Sequence, residues 1–387
     1  MIKNVFYAFI SFAFILNAHA QDNVSVADAW DHVSDVMKKD FVTSETVGGS
    51  LYYLRDGKTY GALSLGFADL KTKRKVDENT IFHWASITKT FTEIALMQLV
   101  EEGKVKLSDP IIKYLPELKK VHNPYGPMED ITLQMLISHS SGFRDGSWPW
   151  TSGEDWMPFE PTNWQQIVAM LPYMKINFKP GSQYQYSNPA LIFIGKVIEQ
   201  IAGEDIEIYI HKNILLPLGM HHSYFDTTPR HLLKYRSNNY FVVDGVIDEQ
   251  GLDFDTGITT SNGGLNSPLT DMSKYFNFLL GVGDKQLYEG IIKRKTLENM
   301  WKPVVPIDDN DGWVEQMSNG FFLYDHKASK AHYIGHTGSQ AAYYSFFYLN
   351  PKTNSAVIMV TNSRPKTTER KYIYSMRKLI FDTLLYK

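Results

Sequence analysis

Ser86-Ile87-Thr88-Lys89, Tyr186-Ser187-Asn188 and His336-Thr337-Gly338 are the pieces of this 387-residue chain whose order decides its reading. None of them carries the argument alone. Ser-x-x-Lys occurs three times, at Ser86, at Ser363 with Lys366 and at Ser375 with Lys378. Tyr-x-Asn also occurs three times, at Tyr186, Tyr275 and Tyr348. The flanks choose among them. Ser86, Thr88 and Thr92 fit a helix start, Ile94, Leu96, Met97 and Leu99 supply apolar bulk, and Gly103 is a C-terminal stop. Tyr186 follows Phe178-Lys179-Pro180-Gly181 and precedes the helical run 191–202, so it belongs to a loop entering a helix. Tyr275 falls inside a helical stretch and Tyr348 ends a strand-like one, so both read as structural.

The elements around these pieces predict an α+β fold. Val26, Trp30, Val33 and Met37 have helical spacing and place a helix over 21–39. Residues 50–54 and 60–65 are strand-like, and Asp56-Gly57 between them is a hairpin signal. The middle of the chain is mostly helical by period, most clearly at 165–170 and 191–202. A helix is expected over 271–280, β-rich runs over 343–348 and 356–360, and a closing helix over 367–385. Sheet elements thus lie at both ends and helices between them. That predicts an antiparallel sheet flanked by terminal helices, with a mainly helical region inserted. The boundaries follow: a sheet part over about 21–85 and 255–387, and a helical part over about 86–254.

The chemistry of the three pieces converges. A serine hydroxyl needs a base before it becomes a good nucleophile. A lysine three residues later on a helix lies on the same face. Its usual pKa makes it a poor base, but burial and nearby cations lower it. Ser86 and Lys89 also read as an N-cap serine followed by a solvent lysine. A phenol at Tyr186 near that lysine can pass protons, and the Asn188 amide can bond a substrate. These two read equally as a core tyrosine and a helix cap. A glycine at Gly338 lets a substrate approach a strand edge, and an edge N–H can help hold an oxyanion. A turn before a strand is the alternative.

Composition closes off other classes. There is no cysteine, which excludes disulfides, a thiol nucleophile and cysteine-ligated zinc. The net charge of −3 is well mixed and gives no nucleic-acid footprint. The runs His221-His222 and His326, His332 and His336 have no metal-site spacing, so neither metal nor cofactor is expected. Asp308-Asp309-Asn310-Asp311-Gly312 has the composition of a calcium loop but fails its register at both ends. No Gly-x-Ser-x-Gly occurs. Lys3, the apolar run 5–16 and Ala18-His19-Ala20 read as an export signal over 1–20, cleaved after Ala20. The run is too short to span a bilayer comfortably, and no later one is long enough. A periplasmic or secreted enzyme with a core-stabilised 21–387 domain is expected. Trp148, Trp150 and Trp156 in 147–159 are either an aromatic lip over a cleft or a packed insertion.

With these motifs the chain resembles the serine β-lactamase and penicillin-binding protein superfamily, in its class C-like branch of esterases and D-aminopeptidases. The likeness extends to Leu136-Ile137-Ser138-His139-Ser140-Ser141-Gly142, to Pro217-Leu218-Gly219-Met220 and to Gly263-Gly264-Leu265 with Ser267 and Asp271. It implies a β-lactamase/transpeptidase-like fold and an acyl-enzyme on Ser86. It further implies Lys89 as base partner, Tyr186 as proton shuttle and Asn188 as substrate-orienting amide. His336, Thr337 and Gly338 would bind substrate, with the backbone N–H groups of Ser86 and Ser339 as oxyanion hole. Lys89 and Tyr186 both remain candidates for the first proton, and His139 reads as a structural turn residue. One departure stands out: β-lactamases and transpeptidases usually start the third motif with lysine, and here it is His336. A histidine with its ordinary pKa is only partly charged at neutral pH. That favours an esterase or D-amino-acid peptidase acting on a small-molecule or peptide-like substrate. A class C-like β-lactamase, a penicillin-binding sensor that acylates with little turnover, and a non-catalytic cell-wall module are the alternatives.

Overall fold

A computed structural model describes residues 25–144, 161–243, 245–252, 256–310, 312–365 and 369–386. The export signal, Trp148, Trp150, Trp156 and Asp311 lie outside the described residues. The centre of the molecule is a nine-stranded sheet. In chain order its strands are β1 (Gly48–Arg55), β2 (Lys58–Asp69), β3 (Arg74–Lys75), β4 (Val305–Asn310), β5 (Trp313–Met317), β6 (Phe322–His326), β7 (His332–Gln340), β8 (Tyr343–Asn350) and β9 (Ser355–Thr361). Across the sheet they run β3-β2-β1-β9-β8-β7-β6-β5-β4, all antiparallel. The β1–β9 pairing joins the two ends of the chain, with Leu51 opposite Met359. Asp56 (φ 48°) and Gly57 (φ 80°) make the tight turn that their sequence predicts, since both central positions need positive φ.

The sheet is buried on both faces, and alternation sorts its side chains. Leu51, Tyr53, Phe346, Tyr348, Val357 and Met359 face one apolar cluster. Tyr52, Leu54, Phe347, Leu349, Ile358 and Val360, one residue out of phase, face the other. The first face is covered by α1 (Val26–Thr43) and by the closing helix, numbered α5 below. In α1 the buried Ala29, Val33 and Met37 recur at helical spacing, and Ser25 caps the helix with a reciprocal bond to Asp28.

The second face carries the helical layer, with α2 (Thr88–Glu101), α3 (Asn188–Ala202) and α4 (Leu269–Leu280). Every residue of α2 from Thr88 to Leu99 is buried, because the helix lies between the sheet and its helical neighbours. Thr90 and Thr92 fit there by bonding backbone: Thr90 Oγ1 donates to Ile87 O and Thr92 Oγ1 to Ser261 O. The closing helix is α5 (Glu369–Asp382), which buries Met376, Ile380 and Phe381. This is the fold expected from the sequence. Among the described residues no helix is long and apolar enough to cross a membrane. Asp308, Asp309 and Asn310 end β4 and pair with Glu315, Val314 and Trp313 of β5.

Candidate active site

The helix start expected at Ser86 is split in two. Residues Ala85–Ile87 form a 3-10 turn, and α2 begins only at Thr88. Ala85 has φ 49°, a left-handed conformation that costs a side-chain-bearing residue about 1 kcal/mol or more. The kink lifts Ser86 out of the helix, where its side chain is half-buried while Lys89 is fully buried. Lys89 Nζ donates to Ser86 Oγ at 3.0 Å and to the carbonyl of Asn262 at 2.9 Å. It also lies 5.0 Å from the centroid of the Tyr186 ring. The two flanking Ser-x-x-Lys matches lie elsewhere: Ser363 Oγ accepts from Val47 N at the sheet edge, and Lys378 pairs with Asp382 on α5.

Tyr186-Ser187-Asn188 lies on the loop entering α3, as the sequence predicts. Ser187 is its N-cap and accepts from Ala190 N, and Asn188 is its first residue. Asn262 ties this loop to the lysine: its carbonyl accepts from Lys89 and its amide donates to Asn188 O at 3.2 Å. His139 does more than turn the chain. At φ 52° its Nδ1 accepts from Ser187 N at 3.1 Å, its carbonyl accepts from Gln185 N at 2.8 Å, and its ring packs 4.3 Å from Tyr186. It therefore holds the tyrosine loop in place. Tyr275, by contrast, is buried in α4 and donates to Thr90, and Tyr348 is buried in β8.

The third motif is inside β7 and not in a turn. Among the described residues, the strand ladder of β7 from His336 onward is with β8, and its ladder with β6 ends at Gly335. The open edge receives the Ser86 turn. A side chain at Gly338 would collide with Trp84 O and come within 3.2 Å of Ser86 N. Ser345 Oγ, opposite Gly338 on β8, donates to Trp84 O at 3.0 Å and fixes the docking. Thr337 is half-buried and Ser339 exposed on this edge.

His336 corrects one expectation. It is 1% exposed, and burial, helped by the Lys89 charge, pushes its pKa down to about 3. It is neutral at pH 7, not partly charged. Nδ1 lies 2.6 Å from Thr337 O and so carries the proton, which leaves Nε2 as a buried lone pair with no hydrogen bond. His139 is held well below the ordinary histidine range by burial, then by Lys89 and His336.

Sequence reading missed two groups. Asn262 was hidden because its role is played by a backbone carbonyl. Glu93, four residues after Lys89, is fully buried with neither carboxylate oxygen hydrogen-bonded, packed over Gly320. Burial raises its pKa well above the usual carboxylate range, and Lys89 opposes that. An acid inside the apolar run 91–99 was the signal available for it. Among the described residues no group of three or more histidines and acids could hold a metal ion. His332 pairs with Asp325 at 2.7 Å and His326 bonds Ser329.

Comparison with known proteins bears on the fold and the family. The chain is similar to "Protein flp" of Staphylococcus aureus (strain COL), 24% identical over 335 residues that cover 87% of this chain and 63% of that protein. It is similar to "Penicillin-binding protein 4*" of Bacillus subtilis (strain 168), 24% identical over 331 residues, 79% of this chain and 65% of that one. It thus spans less than two thirds of these curated relatives. In fold it matches an octameric penicillin-binding protein homologue from Pyrococcus abyssi, with TM-score 0.75, 24% identity and coverage of 92% and 80% of the two chains. It also matches a class C β-lactamase, with TM-score 0.74, 18% identity and coverage of 95% and 98%. A family model described as Beta-lactamase matches residues 31–379, and the chain belongs to that family.

Proposed function

We propose that this protein is an exported serine hydrolase that opens ester or amide bonds of small or peptide-like substrates through an acyl-enzyme on Ser86. The contact between a fully buried Lys89 and Ser86 Oγ at 3.0 Å carries the reading. In the reactive form the bond runs the other way, with the serine O–H donating to a neutral amine. As Oγ bonds to the carbonyl carbon, the proton passes to Nζ. It then goes to the leaving group, with the Tyr186 phenol as the shuttle. The N–H groups of Ser86 and Ser339 stabilise the oxyanion at the open edge of β7. Asn188, Thr337 and Gly338 orient the substrate, and water attacking the acyl carbon returns Ser86.

Substrate preference rests on His336. A neutral imidazole gives the third motif no cation for a substrate carboxylate, which supports esterase or D-aminopeptidase-like activity over β-lactam hydrolysis. Relatives named penicillin-binding protein and class C β-lactamase support the alternatives of a β-lactamase, or of a sensor that acylates without steady turnover.

Steady-state hydrolysis of p-nitrophenyl butyrate beside nitrocefin separates these readings. Fast ester turnover with little nitrocefin cleavage, both lost in Ser86→Ala, is the expected result. Fast nitrocefin turnover would move the assignment to β-lactamase, and a stable adduct without turnover to a sensor. Export over 1–20 is tested by N-terminal sequencing of the secreted or periplasmic protein, which should begin at Gln21.

A further inference from the structure

We propose that Gln340 is a specificity-determining residue: its carboxamide oxygen, aimed by His83, accepts a hydrogen bond from an amide N–H of a peptide-like substrate. This rests on the hydrolase reading of Ser86 and extends it to the substrate.

The argument begins with Asn266, whose Nδ2 donates to Asp226 O and to Gly264 O, both at 3.2 Å. Those two bonds fix the amide, so Oδ1 faces His83 Nδ1 at 3.0 Å and accepts its proton. His83 is 1% exposed, and burial together with the nearby Arg236 pushes it down to about 4. The ring is therefore neutral with a single N–H, already used at Nδ1. Its Nε2 is an acceptor.

The Gln340 carboxamide lies 3.1 Å from that nitrogen. Only its NH2 group can pair there, so the network assigns the amide orientation with nitrogen toward His83 and oxygen away from it. Among the described residues the outward atom has no hydrogen-bond partner, and it is not buried. A fixed, unpaired amide oxygen is a recognition group.

Its place is the rim of the candidate site. Gln340 ends β7, two residues beyond the Gly338 that packs on Ser86 N. Its amide lies over Gly263, where a side chain would collide with it, and Gly263 follows the Asn262 whose carbonyl takes Lys89. The oxygen thus sits past the Ser339 N–H, along the edge where an extended substrate would run. Simple alkyl esters have no donor for it, whereas acylated amino acids and peptides do.

The test compares N-acetylglycine p-nitrophenyl ester with its N-methyl counterpart, which lacks the N–H, and with p-nitrophenyl butyrate. Wild type should favour the N–H ester in kcat/KM by about threefold to tenfold, the effect of one neutral hydrogen bond. In Gln340→Met that preference should fall to about one, with butyrate turnover changed by less than about twofold. A wild-type ratio near one overturns the proposal whatever the variant does, and so does a folded Gln340→Met that retains the preference. If wild type cleaves none of the three esters, butyrate included, the hydrolase reading itself fails.

Discussion

Mild acid should destabilise this protein through its buried imidazoles. His83, His139 and His336 are at most 1% exposed, and burial is the first cause of the lowered pKa of each. Unfolded, each takes a proton near 6.5; folded, His83 refuses one until about 4 and His336 until about 3. A depressed pKa contributes stability that is present above 6.5 and lost as pH falls, because acid favours the state that binds protons. Glu93 acts in the opposite sense. Its folded pKa is raised, so its contribution is present below the unfolded value of 4.5 and lost as pH rises through the folded one. Between pH 6 and 5, unfolding takes up close to three protons at the histidines and releases at most one from Glu93. The histidines outnumber the acid, so stability should fall by on the order of 2–3 kcal/mol per pH unit, an upper figure because Glu207 and Glu315 are also raised. The sharper quantity is a difference. Glu93→Gln removes the opposing proton, so its stability should fall more steeply than wild type as the pH drops, by up to about 1 kcal/mol per pH unit. Urea unfolding by circular dichroism at pH 6.0, 5.5 and 5.0 measures both slopes. A stability that is flat or rising toward pH 5, or equal slopes for the two proteins, would refute the reasoning.

Three further outcomes follow from the site. Lys89→Met should lower kcat/KM for p-nitrophenyl butyrate by about 10²- to 10⁴-fold, the usual contribution of a positioned base; a drop under tenfold would remove Lys89 from that role. His139→Ala deletes the acceptor for Ser187 N, so chemical denaturation should register a loss of about 1–3 kcal/mol for the orphaned donor, with kcat falling as the Tyr186 loop loosens; full activity would show that the loop holds itself. His336→Lys should lower KM for the carboxylate-bearing nitrocefin several-fold and leave the uncharged butyrate ester unaffected, and an unchanged or higher KM for nitrocefin counts against a carboxylate-facing third motif.

What could be read from the sequence was what is local. The Asp56-Gly57 turn, the apolar periods of α1 and α4, and the flanks of Ser86 and Tyr186 each depend on neighbours within a few residues, and these elements lie where they were expected. The layered sheet could be inferred as a class because strands cluster at both ends of the chain. Its order could not, since the β1–β9 pairing joins residues some 300 positions apart. The same limit applies in the site. His139 reaches Ser187 across 48 positions, and Asn262 reaches Lys89 across 173 through a carbonyl that every residue possesses. His336 was identified as a departure from lysine, but its neutrality comes from burial, which its own side chain does not encode. The Ala85 kink was invisible because alanine shows no preference for positive φ.

The central claim is a covalent bond between substrate acyl group and Ser86. Mass spectrometry of acid-quenched protein during p-nitrophenyl butyrate turnover, followed by peptide mapping, reads it directly. The account predicts one butyryl group, on the peptide containing Ser86, in wild type and none in Ser86→Ala, which should also lose turnover. A butyryl group on another residue, or undiminished hydrolysis by Ser86→Ala, would contradict it.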